Sequence, residues 1–166
     1  MHIIGNGLIA KAFKKNYFNN DCIIFASGVS NSKNDNNLDF YREINLIEEA
    51  LNKFKNKHII YFSTCSLNNN EISKYKDHKK KIESYIIENS LTYSIFRLPQ
   101  VVGIVNNQTL ISALIRNLKY GNEIIIHSRT TRHLLDVQDI PRISNIILKK
   151  GFSNTIIDIA PSLNVD

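Results

Sequence analysis

Strand-like and helix-like patterns alternate along this chain from its first residues to its last, which restricts its fold more than any single motif does. His2–Ile4 is a short apolar strand, followed by a glycine turn and a helix over about Leu8–Tyr17. Cys22–Ala26 is a second strand. A helix follows near Leu38–Lys55, where Tyr41, Ile44, Ile47, Leu51 and Phe54 keep the helical period. His58–Ser63 is a nearly continuous apolar run, as suits a strand covered on both faces. A third helix runs to about Asn89, and Leu91–Leu98 forms a strand that Pro99 stops. A helix over about Thr109–Tyr120 ends at Gly121, and Glu123–His127 reads as a strand. Asp139 can cap a last helix with Pro141 in its first turn, and Thr155–Ile159 closes the series. Such alternation implies an α/β fold with a parallel sheet and helices on both sides.

The 166 residues suffice for one domain, 1–166, with no internal repeat and no boundary signal. No segment approaches the roughly 20 apolar residues of a membrane span, so no membrane partner is expected. MHIIG lacks the basic-then-apolar layout of a signal peptide. Cys22 and Cys65 fall inside apolar runs, which favours reduced thiols and a cytoplasmic setting. The net charge of +6 is spread over scattered lysines with no interleaved aromatic platform. Nucleic acid is therefore not the expected partner, whereas an anionic small molecule such as a nucleotide phosphate suits the charge. The five histidines show no metal-ligand spacing, and no metal is expected.

GNGLIA, Gly5–Ala10, stands between the first strand and the first helix, where a phosphate-binding turn belongs. In G-x-G-x-x-A the first glycine permits a tight turn and the second lets a pyrophosphate reach the backbone at the helix N-terminus. A tight strand-to-helix turn with no ligand has the same pattern. An acidic residue about 20 positions on usually grips the adenosine ribose, and none ends the strand CIIFASG.

Tyr75 and Lys79, in YKDHK, are four apart and so share one helical face. They follow the hydroxyl-rich strand end IIYFSTCS, Ile59–Ser66. An ammonium beside a phenol favours the phenolate and draws down a pKa of roughly 10, while a nearby Thr or Ser can hold a substrate hydroxyl. By pattern alone the pair equally fits an amphipathic tyrosine and a solvated lysine.

The glycine turn, the ASG strand end, STCS, YKDHK and RLPQVVG occur in the order found in the short-chain dehydrogenase/reductase superfamily. They most resemble its extended branch of nucleotide-sugar epimerases, dehydratases and reductases. The resemblance implies a Rossmann-like doubly wound parallel sheet and NAD or NADP as cofactor. Gly5, Gly7 and Ile9 would approach the pyrophosphate, and Ser27, Gly28 and Val29 would border the ribose and nicotinamide. Asn45 falls where the family has an Asn on the following helix. Tyr75 would be the general acid/base, and Lys79 would bond the nicotinamide ribose and lower the pKa of Tyr75. Thr64, with Ser66 second, would complete the catalytic set. In RLPQVVG, Pro99 would lie by the cofactor and Gln100 by the substrate. In RTTRHLLDVQD, Arg132 would grip the sugar-nucleotide phosphates, with Asp136 and Asp139 structural. Cys65 stands where some dehydratases carry an acid, which disfavours dehydration by the usual acid pair.

Set against that family, the chain lacks the second and third strands with their helices, and it ends where the family continues into a substrate-binding lobe. The sheet is therefore expected to be shortened on the adenine-binding side, with a right-handed crossover from the first strand straight to the family's fourth. The function implied is an NAD(P)-dependent epimerase or keto-reductase acting on a nucleotide-activated sugar, with a homodimer as one way to supply the missing walls. The alternative is a non-catalytic reduced member that binds a sugar nucleotide or a protein partner.

Overall fold

The computed structural model describes residues 1–15, 21–103, 110–124 and 132–160. Five parallel strands form the main sheet in the order β1-β2-β3-β4-β7: β1 His2–Ile4, β2 Cys22–Phe25, β3 His58–Thr64, β4 Tyr93–Leu98 and β7 Thr155–Asp158. The connecting helices are α1 Leu8–Lys15, α2 Asn37–Lys53, α3 Lys74–Asn89, α4 Leu110–Tyr120 and α5 Asp139–Lys149. Residues 16–17, residue 109 and residues 125–127, on which parts of three expected elements fall, lie outside the described residues.

Local chemistry accounts for most of the boundaries. Asn36 accepts a hydrogen bond from the Leu38 N–H at the start of α2, and Ser73 accepts one from the Lys76 N–H at the start of α3. Asp139 does not cap α5 as expected. Gln138 occupies the cap position but makes no side-chain capping bond, and Asp139 sits in the first turn, paired with Arg142 at 3.0 Å. Two strands went unread in the sequence, β5 Gln100–Val102 and β6 Leu134–Asp136, which pair in parallel as a separate small sheet. Pro99 does interrupt β4, but the chain resumes extended pairing one residue later with a different partner.

The inner strands β2, β3 and β4 are largely buried on both faces. On one face α1 and α5 bring Ala12, Phe13 and Ile140 onto Cys22, Ile24, Ile60, Phe62 and Phe96. On the other, α2 and α3 bring Ile47, Ala50, Leu51, Ile82 and Ile86 onto Ile23, Phe25, Ile59, Tyr61 and Ile95. From β1 to β4 each connection steps one strand in the same direction, yet α1 passes over the opposite face from α2 and α3. The β1–α1–β2 crossover therefore has the opposite hand to the two that follow. Since about 98% of such crossovers are right-handed, β1–α1–β2 is the left-handed one. This corrects the expectation of a right-handed first crossover. The reason lies in burial: α2 and α3 cover the second face, and the apolar stripe of α1 finds its complement only on the first.

β1 is the sheet edge, where the ordinary doubly wound order 3-2-1-4-5-6 would place two further strands beyond it. The sheet is thus shortened on the expected side. The change of face also has a local result. Beyond β1 the chain turns toward one face and beyond β2 toward the other, which opens a crevice at the carboxyl ends of these two strands, the usual ligand position in such sheets. No helix among the described residues is long and apolar enough to cross a membrane.

Candidate functional site

The crevice begins at Gly5. Its φ is +122°, and a Cβ there would lie 2.3 Å from the Ala26 carbonyl oxygen. The backbone is pinned at that point because the Ala26 N–H donates to the Ile4 carbonyl at 2.8 Å. Gly7 differs: a Cβ would meet nothing within 4 Å, and the residue is exposed at the start of α1. The fold does not need a glycine at position 7, whereas a phosphate approaching the N-terminus of α1 does. Gly7→Ala is accordingly expected to leave the melting temperature unchanged and to weaken dinucleotide binding at least tenfold; calorimetric titration beside a thermal melt checks both. Ile9 is half-buried, its side chain packed against the core under α1.

Across the crevice, Ser27 is held by Arg42 of α2, which donates to its hydroxyl and to its carbonyl, both at 3.1 Å. Val29 is buried with Phe40 and Tyr75, and its N–H donates to Glu43 Oε2 at 2.6 Å. A Cβ on Gly28 would stand 2.8 Å from both Glu43 Oε1 and Lys79 Nζ. The three residues expected along the cofactor thus form one turn laid over the side chains of α2 and α3.

Tyr75, Thr64 and Ser66 come together. Thr64 is near enough to the Tyr75 phenol to favour its ionised form, and Thr64 Oγ1 donates to Ser66 Oγ at 2.9 Å. Thr64 also accepts from the Ser66 N–H, capping the 3-10 turn Cys65–Asn68 that ends β3. Cys65 Sγ donates to the Arg97 carbonyl, and burial pushes its thiol up to about 11. Such a thiol packs and does not attack.

Lys79 lies on the same helical face as Tyr75, with Nζ 5.9 Å from the ring centroid. Its charge is engaged elsewhere. Nζ donates to Glu43 Oε1 at 2.9 Å and to the Tyr61 hydroxyl at 2.8 Å, and the residue is buried. Glu43 also accepts from Tyr61 OH at 2.7 Å and from His78 Nε2 at 2.9 Å. Burial alone would push the Glu43 carboxyl up. The His78 hydrogen bond, the Lys79 charge, the Val29 N–H and the Tyr61 hydroxyl outweigh it and hold the group at about 2. The Tyr75 phenol goes the other way from expectation. Burial pushes it up to about 12, the nearby Thr64 hydroxyl only partly offsetting this, and the Glu43 charge adds to the rise. The expected lowering by Lys79 is not present because a carboxylate sits against the ammonium.

Glu43 and Arg42 were missed in the sequence, and Asn45, taken as the helix residue of interest, is exposed. A charged residue at a buried helical position is a legible signal: Glu43 falls four before Ile47, on the inward face of α2. Gln100 starts β5 opposite Leu134 of β6, and Arg132 precedes β6 and is exposed; Pro99 is half-buried just before this sheet. The small sheet thereby brings Gln100 and the Arg132 segment side by side, two residues beyond Leu98, the partner of Thr64 in the main sheet. Asp136 accepts from the Gln138 N–H at 2.8 Å, a local turn bond. Neither Cys22 nor Cys65 is in a disulfide.

No protein-family description matches the chain, and no curated protein is similar in sequence. Solved structures are similar in fold. The Bordetella bronchiseptica enzyme WbmG, solved with NAD and UDP, superposes with a TM-score of 0.69 over 95% of this chain and 55% of its own, at 18% identity. The dTDP-glucose 4,6-dehydratase of Bacillus anthracis, solved with NAD, gives 0.68 over 87% and 53%, at 13% identity. The UDP-glucose 4-epimerase of Thermotoga maritima, solved with UDP-glucose, gives 0.67 over 87% and 57%, at 16% identity. The chain thus has a Rossmann-like α/β fold like that of nucleotide-sugar epimerases and dehydratases. It spans a little over half the length of these proteins.

Proposed function

We propose that this chain is the dinucleotide-binding part of an NAD(P)-dependent enzyme of the extended short-chain dehydrogenase/reductase type, acting on a nucleotide-activated sugar by epimerisation or keto-reduction. The observation that carries the reading is the Tyr75–Thr64–Ser66 cluster at the carboxyl end of the sheet, beside a crevice whose second glycine has no role in the fold. The similar structures solved with NAD, UDP and UDP-glucose support the ligand class. Gly5, Gly7 and the N-terminus of α1 suit a pyrophosphate, and the Ser27–Val29 turn suits the ribose side. A bound dinucleotide supplies the hydride donor or acceptor. Tyr75 holds the proton exchanged with a sugar hydroxyl or ketone, Thr64 and Ser66 orient that oxygen, and Lys79 stabilises the ribose end of the site. Gln100 and Arg132, on the small sheet, face the role of sugar-nucleotide recognition.

Titration with NAD(H) and NADP(H), followed by calorimetry or by the fluorescence of the reduced cofactor, tests the reading. Saturable binding of one of them is expected. A folded chain that binds neither up to millimolar concentration would overturn the assignment in favour of a non-catalytic protein that binds a sugar nucleotide or a protein partner.

A further inference from the structure

Four groups from two elements and a turn converge on the Glu43 carboxylate: Lys79 and His78 of α3, Tyr61 of β3 and the N–H of Val29. Glu43 is fully buried, and no motif marks it. We propose that Glu43 is a positioning residue for Lys79, fixing the ammonium beneath the Gly28–Val29 turn and taking up its charge, so that Tyr75 rests as the proton donor. This rests on the dehydrogenase-type reading of Tyr75 and Lys79.

The geometry specifies how. Tyr61 OH donates to Glu43 and accepts from Lys79, so the three side chains close a ring with edges of 2.7, 2.8 and 2.9 Å. An ammonium has three N–H groups, and two are used within this ring. The fourth bond, from Val29, ties the same carboxylate to the turn proposed to border the cofactor. His78 is wedged against the carboxylate by stacking on Phe40, with ring centroids 4.5 Å apart. Glu43 thereby sets the height of Lys79 and the height of the turn together.

The electrostatic consequence follows from distance. The groups facing Tyr75 are Lys79 of its own helix, Glu43 of α2, and Tyr61 and Thr64 of β3. Opposite charges 2.9 Å apart act on the phenol as a dipole and not as a net positive charge. Without the carboxylate the phenol loses the negative charge that raises it, and Lys79 loses the partner that holds its proton against burial.

The test is a pH titration of Tyr75 by heteronuclear NMR on protein labelled at tyrosine Cζ, the signal being assigned by its loss in Tyr75→Phe. In Glu43→Gln the Tyr75 midpoint is expected to fall by about one to three units. A folded Glu43→Gln protein with the wild-type midpoint would overturn the proposal. Leaving Lys79 buried without its partner is costly, so a second variant covers a failure to fold. Glu43→Gln/Lys79→Met removes both groups and is expected to fold with its Tyr75 midpoint lowered as in Glu43→Gln, since the carboxylate charge that raises the phenol is gone in both. A folded double variant with the wild-type midpoint would equally overturn it. Neither dinucleotide nor sugar enters this measurement, so its outcome is independent of the binding titration that tests the function.

Discussion

Tyr75→Phe is expected to lower turnover roughly a hundred- to ten-thousand-fold, the usual contribution of a positioned acid/base group. The fold should survive the change. The ring is buried with Val29 and Phe40, and phenylalanine keeps that packing. Only the polar contact of the phenol with Thr64 is lost, worth at most about 1 kcal/mol. The check is paired: cofactor-linked turnover on a panel of nucleotide sugars beside a thermal melt of each protein. Activity retained within threefold at an unchanged melt would remove Tyr75 from the chemistry. Loss of activity together with a collapsed melt would point to a packing role instead.

The second large effect is at the sheet edge. Gly5→Ala should destabilise the chain by about 1–3 kcal/mol from backbone conformation alone, because φ is +122°. The clash adds to this, since the Ala26 carbonyl oxygen is 2.3 Å from the new Cβ and is held in place by pairing between β1 and β2. Relief requires β1 to part from β2, and β1 has no second neighbour among the described residues to hold it. Urea unfolding should therefore show a lower midpoint, and dinucleotide binding should fail in proportion. A Gly5→Ala chain as stable as wild type would show that the turn can relax, and that Gly5 is not the pivot of the crevice. The contrast with Gly7→Ala separates the glycine the fold requires from the one a ligand would require.

The element order was legible because each segment carries its own local signal. His58–Ser63 reads as a doubly covered strand and becomes the central β3, flanked on both sides. Cys22–Phe25 behaves in the same way, with every residue buried. β5 and β6 were not legible: each is three residues long, and each owes its extended form to the other. Of the site, the Tyr75–Thr64 contact could be anticipated, because a strand end and the helix start that follows it in a parallel sheet meet at the same edge.

By itself, the sequence determined which segments are strands and helices, that the sheet is parallel, and which residues gather at its carboxyl edge. Those follow from periodicity and chain order. Only the tertiary structure decided the face that α1 takes, and with it the left-handed first crossover, since both faces offered apolar cover and the choice turned on what α2 and α3 had filled. The charge state of the pair was settled at the same level. Lys79 and Tyr75 sit four residues apart, but the group that controls them, Glu43, comes from another helix more than thirty positions earlier. Electrostatics depends on distance through space, and spacing along the chain could not reveal that the lysine was already paired.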